Sequence, residues 1–262
     1  MLDTEKWWQT QLAQDVHSTL KKREIELPVY RSRSPQICYR RFLVNWLAVI
    51  GEKLGLVQEV VHLAVRYLDH VMDKYDLLLE SQLNMLALCC LSLAAKIGEC
   101  EDNIPKVSIL KKFCNESFLM HEFISMEVKI SQCLNWKLIL PTAANFLDFY
   151  AMESLSIDNL HAGENIVCLV QARSYLEKYA KYFVEVSLQD YIFLQFLPSL
   201  VASAAVLCAR ICLKITPEWP MKMATLTKYS VADLRRCKDC MMRIHEIDAK
   251  RTKDANTSEE NA

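Results

Sequence analysis

The chain has 262 residues and a net charge of −1, from 31 Lys and Arg residues against 32 Asp and Glu residues. These charges are mixed along the sequence, so no nucleic-acid-binding or membrane-binding surface is predicted. Only four glycines occur, far below the usual share of about 7%. Because sheets and phosphate loops use glycine for turns and bulges, the composition favours an all-α protein.

The eleven cysteines lie mostly in apolar helical context, which is typical of reduced core cysteine in an intracellular protein. Cys237 and Cys240 with His245 have the one metal-like spacing, but a second pair of ligands is missing, so neither zinc nor any cofactor is expected. The first residues lack the features of a signal peptide, and no uncharged apolar run is as long as a membrane span. We expect a soluble protein of the nucleus, the cytoplasm or both.

Apolar periodicity predicts an N-terminal helix over residues 5–23, followed by an irregular polar stretch over 27–35. Two sets of five helices come next, on either side of a short connection at Pro141. Their predicted bounds are 36–54, 57–75, 82–98, 105–115 and 119–135, then 142–153, 159–187, 198–214, 218–226 and 230–248. The polar residues 251–262 predict a disordered tail.

Each set contains a middle helix dominated by small residues, 86–95 in the first and 200–209 in the second. Small side chains let neighbouring helices approach closely, and apolar character all round predicts burial on all sides. We therefore predict two five-helix bundles related by internal duplication. The predicted domains are 1–35 (N-terminal helix and linker), 36–140, 141–250 and the tail.

The helix that contains residues 39–54 is more apolar than one core stripe requires. At roughly 100° per residue its apolar side chains cover an arc of about 260°. Arg40 falls inside this arc, where an unpaired guanidinium is costly and a carboxylate partner is expected. A second apolar face is thus available for docking. It consists of Tyr39, Phe42, Leu43 and Trp46.

Motifs spread along the chain resemble, in the same order, those of the cyclin family. Residues 39–47 are similar to the MRxxLxxWL-type opening of a cyclin box, and His62–Asp69 is similar to its second helix. Ala94-Ala95-Lys96 resembles the family's LLASKxEE segment. Further matches are Met126-Glu127, Asn135–Thr142, Leu197-Pro198-Ser199, Trp219-Pro220 and Tyr229. Trp7-Trp8 and the segment 187–191 are most similar to one branch of the family.

This resemblance implies tandem five-helix cyclin boxes and a regulatory subunit that binds and allosterically activates a cyclin-dependent kinase in cell-cycle control. The first box would press on the kinase C-helix and complete the Lys–Glu ion pair that phosphoryl transfer requires. The cyclin would supply no catalytic group. Consistent with this, the sequence has no glycine-rich phosphate loop, nucleophile elbow or HExxH motif.

The resemblance implies that Lys96, Glu127 and Glu99 bind the kinase. In cyclins, the lysine and glutamate that match Lys96 and Glu127 bond to backbone groups around the kinase C-helix. Without the resemblance, Lys96 is a cation that complements a helix dipole, worth at most about 1 kcal/mol, and Glu127 is an ordinary solvated residue. Gly98 replaces an acidic residue of the family pattern.

The resemblance also assigns Arg40 and Asp69 to an internal ion pair that braces the box. A surface pair of Asp69 with Arg66 is the alternative that the spacing allows. The second apolar face falls where cyclins have a hydrophobic patch that docks protein substrates or regulators. Tyr39 replaces a methionine there and Val49 replaces an acid, which weakens the expectation of the usual Arg-x-Leu motif. Packing of this face against the N-terminal helix is the other interpretation.

Two other functions remain open. Cyclin folds also occur in general transcription factors that bind DNA and in pocket proteins that bind peptides, so a scaffold without kinase activation is possible. The near-neutral charge argues against DNA, and Lys96 with Glu127 favours a kinase. A cyclin box that binds no kinase is compatible with Gly98 and Val49.

Overall fold

A computed structural model gives the structure of the chain and describes residues 7–31, 34–75, 80–114 and 118–259. The chain forms two compact units. The first spans residues 22–145, and the second spans residues 146–262 together with the described residues up to Lys21. The sequence analysis instead predicted a separate N-terminal element and a boundary at residue 140. Those domain limits stay predictions.

The N-terminal helix α1 runs from Gln11 to Ile25. Within the second unit, Lys21 Nζ donates hydrogen bonds to Ser199 Oγ at 3.0 Å and to the Tyr229 hydroxyl at 3.2 Å. Just before α1, the Trp8 ring lies 5.1 Å from the guanidinium carbon of Arg173. The start of the chain is therefore fastened to the second unit by polar and cation–π contacts.

The helices predicted for the first unit are all present, although the fourth is short. They are α2 (Ile37–Leu54), α3 (Gln58–Lys74), α4 (Glu80–Gly98), α5 (Val107–Leu110) and α6 (Met120–Cys133). Helix α2 is followed by Gly55, which has the left-handed φ of 66°. In this conformation the backbone N–H groups of the cap donate hydrogen bonds to carbonyls of the last turn. Residues 86–95 of α4 are all buried, as expected for a central helix.

The start of α3 and the two helices beside it approach too closely for ordinary side chains. A Cβ added at Gly51 of α2 would lie 2.5 Å from Val61 Cγ2, and one added at Gly98 of α4 would lie 2.6 Å from Val60 Cγ2. Such distances are far below van der Waals contact. These two glycines therefore let α2 and α4 pack directly against α3.

The remaining α-helices of the described residues belong to the second unit, apart from residues 143–145 at the start of the first of these helices. They are α7 (Ala143–Ser154), α8 (Leu169–Gln189), α9 (Pro198–Cys212), α10 (Met221–Thr227) and α11 (Val231–Glu259). Residues 201–209 of α9 are all buried, which agrees with the small-residue pattern. The all-α class and the tandem bundles are thus confirmed. Among the described residues, no helix combines the length and apolarity that crossing a membrane requires.

Two sequence predictions in this unit were wrong. Helix 159–187 begins only at Leu169, because residues 160–165 form a hairpin of β1 (Leu160–His161) and β2 (Glu164–Asn165). Its turn residues Ala162 and Gly163 have φ of 50° and 89°, as a two-residue hairpin requires. Strand β3 (Ile215–Thr216) completes an antiparallel sheet of order β2-β1-β3.

The second wrong prediction concerns the tail, because α11 continues to Glu259 through part of the segment 251–262 that was predicted to be disordered. Polar composition predicts that a segment lacks a packed core, but it does not exclude a helix. Lysine, arginine, alanine and glutamate are all good helix formers.

The buried guanidinium of Arg210 joins two connections of the second unit, between α7 and β1 and between β3 and α10, without a carboxylate. It is fully buried and donates hydrogen bonds to the carbonyl oxygens of Ser154, Pro217 and Glu218 and to Asn159 Oδ1. Burial lowers the pKa of Arg210 to about 10. Because the group remains charged at neutral pH, these charge-assisted hydrogen bonds fix the loops around β1 and β3.

We predict that Gly98→Ala destabilises the first unit because the new methyl group meets the stiff side chain of Val60. Overpacking of this kind costs about 1–3 kcal/mol. In a Val60→Ala background the same substitution should cost much less, since the obstructing methyl is gone. Urea denaturation of the four proteins of this double-mutant cycle measures the coupling. Equal costs in both backgrounds would show that the contact is not the cause.

Candidate functional site

The centre of the candidate site is an ion pair between the C-terminal end of α4 and α6. Lys96 Nζ lies 2.6 Å and 2.8 Å from the two carboxylate oxygens of Glu127. The Lys96 side chain is 45% exposed, whereas that of Glu127 is only 13% exposed. Both residues belong to one surface, but the pair presents mainly its ammonium group, and the carboxylate is largely covered.

Exposed apolar side chains lie next to this ion pair in the sequence of both helices. Ile97 follows Lys96, Val128 follows Glu127, and Ile124 is one helical turn before Glu127; all three are exposed. A charged pair among exposed apolar residues differs from the ordinary solvated face of a helix. This combination is typical of a surface that becomes buried against a protein partner.

Glu99, the third residue that the resemblance assigned to kinase binding, has an internal partner. Its Oε1 accepts a hydrogen bond from the backbone N–H of Val57, the residue before α3, at 2.7 Å. The carboxylate thereby satisfies one of the amide groups that lack a partner at the start of a helix. Sequence reasoning missed this contact because the two residues are far apart in the chain. The kinase-binding role of Glu99 stays a prediction.

The structure separates the four residues predicted for the docking face. Phe42 is 61% exposed, Tyr39 is also exposed and Trp46 is half-buried, but Leu43 is only 1% exposed. Placing Leu43 on the surface was wrong. It belongs with Leu47 and Ile50 to the core stripe of α2, because residues spaced by three or four lie on one face.

Val49, which is exposed, extends the outer face by one further turn. Spacings of three, four and three residues place the outer side chains in a single line along α2. We call this line the α2 stripe. It consists of Tyr39, Phe42, Trp46 and Val49.

Arg40 and Asp69 form the ion pair that the resemblance implied. Arg40 Nε lies 2.6 Å from Asp69 Oδ1, and Arg40 Nη2 lies 2.9 Å from Asp69 Oδ2. Both side chains are only 3% exposed. The bidentate geometry satisfies both carboxylate oxygens and links α2 to α3 within the core. The carboxylate of Asp69 therefore pairs with Arg40 and not, as in the alternative, with Arg66 at the surface.

The cysteine spacing in α11 has an ordinary structural explanation. Cys237 is buried, and burial raises the pKa of its thiol. The His245 ring nitrogen Nδ1 lies 3.1 Å from the Tyr182 hydroxyl. Across the part of the chain that the structure describes, no group of three or more His, Cys, Asp or Glu residues could hold a metal ion.

Comparison with known proteins agrees with this architecture. The family model of the cyclin N-terminal domain matches residues 15–139, and that of the cyclin C-terminal domain matches residues 141–261. The X-ray structure of a viral cyclin from Herpesvirus saimiri has a TM-score of 0.67 at 20% identity and covers 87% of this chain and 96% of its own. A chain of the CAK complex from Chaetomium thermophilum bound to ATP-γ-S has a TM-score of 0.51 at 16% identity, over 87% of this chain and 70% of its own.

The chain belongs to the cyclin family, whose members are regulatory subunits rather than catalysts. It is similar to cyclin-J of Xenopus laevis, with 38% identity over 249 residues, which are 93% of this chain and 65% of that protein. The chain thus spans less than two thirds of the length of this relative. The sequence resemblance to the cyclin J branch, based on Trp7-Trp8 and residues 187–191, is confirmed.

We predict that Asp69→Asn strongly destabilises the first unit, because it leaves the Arg40 guanidinium buried without a counter-charge. Breaking one side of a buried pair costs about 3–5 kcal/mol. Thermal and urea denaturation measure the loss. Asp239→Asn is the matched control, since Asp239 forms its ion pairs at the surface of α11 and should matter little. A melt of Asp69→Asn within a degree of wild type would contradict the assigned role.

Proposed function

We propose that this chain is the regulatory subunit of a cyclin-dependent protein kinase and that it activates the kinase allosterically. The observation that carries the proposal is the Lys96–Glu127 pair with exposed apolar residues beside it. Membership of the cyclin family supports a kinase as the partner in general. The proposal includes a role in cell-cycle control and a place in the nucleus, the cytoplasm or both.

The chemistry of the pair fits recognition of a kinase backbone. An ammonium group has three donors, and Lys96 directs Nζ at both carboxylate oxygens of Glu127 while nearly half of its side chain stays exposed. A backbone carbonyl of the partner can accept the donor that remains, and a backbone N–H can donate to the carboxylate. Burial of Ile97, Ile124 and Val128 would supply the apolar part of the interface.

Activation follows from binding one kinase conformation better than the other. A cyclin that contacts the C-helix in its inward position stabilises the state in which the catalytic Lys–Glu pair of the kinase is formed. The cyclin shifts the kinase equilibrium only by the difference between its affinities for the two conformations. No catalytic group of this chain takes part in the reaction.

The substitution at Gly98 does not argue for a cyclin box that has lost its partner. An acidic side chain at this position would begin with a Cβ only 2.6 Å from Val60 Cγ2. The packing of α4 against α3 therefore accounts for the glycine. A cyclin box that binds no kinase was compatible with Gly98, and this position no longer supports that alternative.

The α2 stripe supports a second part of the proposal, the docking of protein substrates or regulators. Phe42 and Tyr39 are exposed on a helix whose opposite face is core. Val49 extends the apolar line at the position where an acid would attract a basic motif. We propose that the preferred motif depends on apolar side chains more than on arginine.

We predict that Lys96→Ala combined with Glu127→Ala abolishes kinase association without unfolding the protein. Loss of charged partners at a desolvated interface costs about 2–5 kcal/mol each, which is about 30-fold or more in the dissociation constant. Pull-down of endogenous cyclin-dependent kinases, followed by titration of the kinase identified, measures the effect.

The matched control is Lys222→Ala combined with Glu153→Ala in the second unit. That pair has the same composition of an exposed lysine, 61%, and a covered glutamate, 10%. Kinase recovery by this control should equal wild type. If the Lys96/Glu127 variant melts normally and still recovers the kinase at the wild-type level, the assignment of the site is wrong.

We predict that two neighbouring residues of α2 respond in opposite ways to truncation. Phe42→Ala should leave the melting temperature and kinase binding unchanged, because the ring is exposed. It should weaken the binding of apolar docking peptides. Leu43→Ala should cost about 2–5 kcal/mol of stability, because the side chain is core. Denaturation and peptide titration of both variants separate the roles. If the wild-type protein binds neither apolar peptides nor Arg-x-Leu peptides, the proposed docking function is wrong.

A further inference from the structure

A cavity of about 440 Å³ lies in the first unit, on the side chains and backbone of three separate segments. Pro28, Val29 and Arg31 come from the segment after α1; the C-terminal end of α3 and the turn after α6 supply the rest. The residues of those two segments are His70, Asp73 and Lys74, and Cys133, Leu134 and Asn135. Neither the candidate kinase-binding pair nor the α2 stripe contributes to it.

Cationic groups outnumber carboxylates around this cavity. Arg31 and Lys74 are exposed at its rim, and Asp73 is the one acid among its lining residues. Asp73 Oδ2 already accepts a hydrogen bond from the Arg31 backbone N–H at 2.7 Å. On α3, Arg66, His70 and Lys74 follow each other at intervals of four residues, so their side chains share one face. The surplus positive charge favours an anionic ligand.

His70 adds a buried polar group, and one of its two ring nitrogens has no hydrogen-bond partner among the described residues. The residue is 9% exposed, and that nitrogen is Nε2. Burial, with a contribution from Arg66 and against the opposing charge of Asp73, lowers the pKa of His70 to about 4. The imidazole is therefore neutral at pH 7. A buried polar group without a partner calls for an explanation. A bound anion would supply a hydrogen-bond partner and would also balance the surplus positive charge.

We propose that this cavity binds a phosphate monoester carried on a phosphorylated serine or threonine side chain of a partner peptide. Arg31 and Lys74 would hold the phosphoryl oxygens by charge-assisted hydrogen bonds. Pro28, Val29 and Leu134 provide an apolar wall for the carbon atoms that carry the phosphate. The volume exceeds that of a bare phosphate ion, which favours the side-chain ester. The inference is independent of the proposed kinase partner.

Binding of a dianion here has a second measurable consequence. A negative charge near His70 favours the imidazolium form and opposes the effect of Arg66, so the pKa of His70 rises on binding. The other charged groups that face this end of α3 are Arg31, Asp73 and Lys74. Between the free and bound pKa values, the protein takes up part of a proton when the ligand binds.

The test is isothermal titration of the full chain at constant ionic strength. The probes are N-acetyl-O-phosphoserine methylamide, the unphosphorylated N-acetylserine methylamide and inorganic phosphate. The variants are Arg31→Gln and Lys74→Gln, both at exposed positions, with Lys222→Gln as a control for the loss of one surface lysine. Melting curves check folding, and NMR titration of the histidines follows the pKa of His70.

We expect saturable binding of the phosphoserine probe, no binding of its unphosphorylated form, and affinity reduced by about tenfold or more in each cavity variant but not in Lys222→Gln. The His70 resonance should shift to a higher pKa with the bound probe. Equal affinity of the cavity variants and wild type would overturn the proposal. So would equal binding of both serine probes, or binding of inorganic phosphate alone.

Discussion

The buried ion pair between Arg40 and Asp69 is the constraint on which the first unit depends. Two opposite charges removed from water are tolerated only when each is fully paired, so α2 and α3 have one relative position in which the cost of burial is offset. The bidentate geometry adds directional specificity to that position. Gly51 then allows α2 and α3 to approach closely around Val61 without steric conflict.

The position of the candidate site follows from α3 in the same way. Lys96 is two residues before Gly98, which packs on Val60 of α3, and three residues before Glu99, which accepts the N–H of Val57. The last turn of α4 is thus held by one steric contact and one charged hydrogen bond at the start of α3. In the proposed complex, a partner protein would meet an ammonium group on a well-anchored helix end, so that little conformational entropy would oppose binding.

The sequence predicted the helices well because their apolar periodicity repeats over many residues, as in the buried middle helices 86–95 and 201–209. It failed where structure depends on one or two residues, as in the Ala162–Gly163 turn. The apolar arc of α2 also indicated correctly that this helix has surplus apolar surface, but the prediction from it placed Leu43 on the wrong face. The width of an apolar arc does not show which part of it a neighbouring helix covers.

Residues that depart from the family pattern have to be interpreted from their contacts in the structure as well as from their position in the sequence. From the sequence alone, the missing acid at Gly98 suggested a weakened partner site. In the structure the absent side chain is explained by Val60, so the two positions constrain each other and an acid at 98 requires a smaller residue at 60. Val49 has no such steric explanation, because it is exposed on α2. A departure at an exposed position, unlike one forced by packing, changes what the surface can bind.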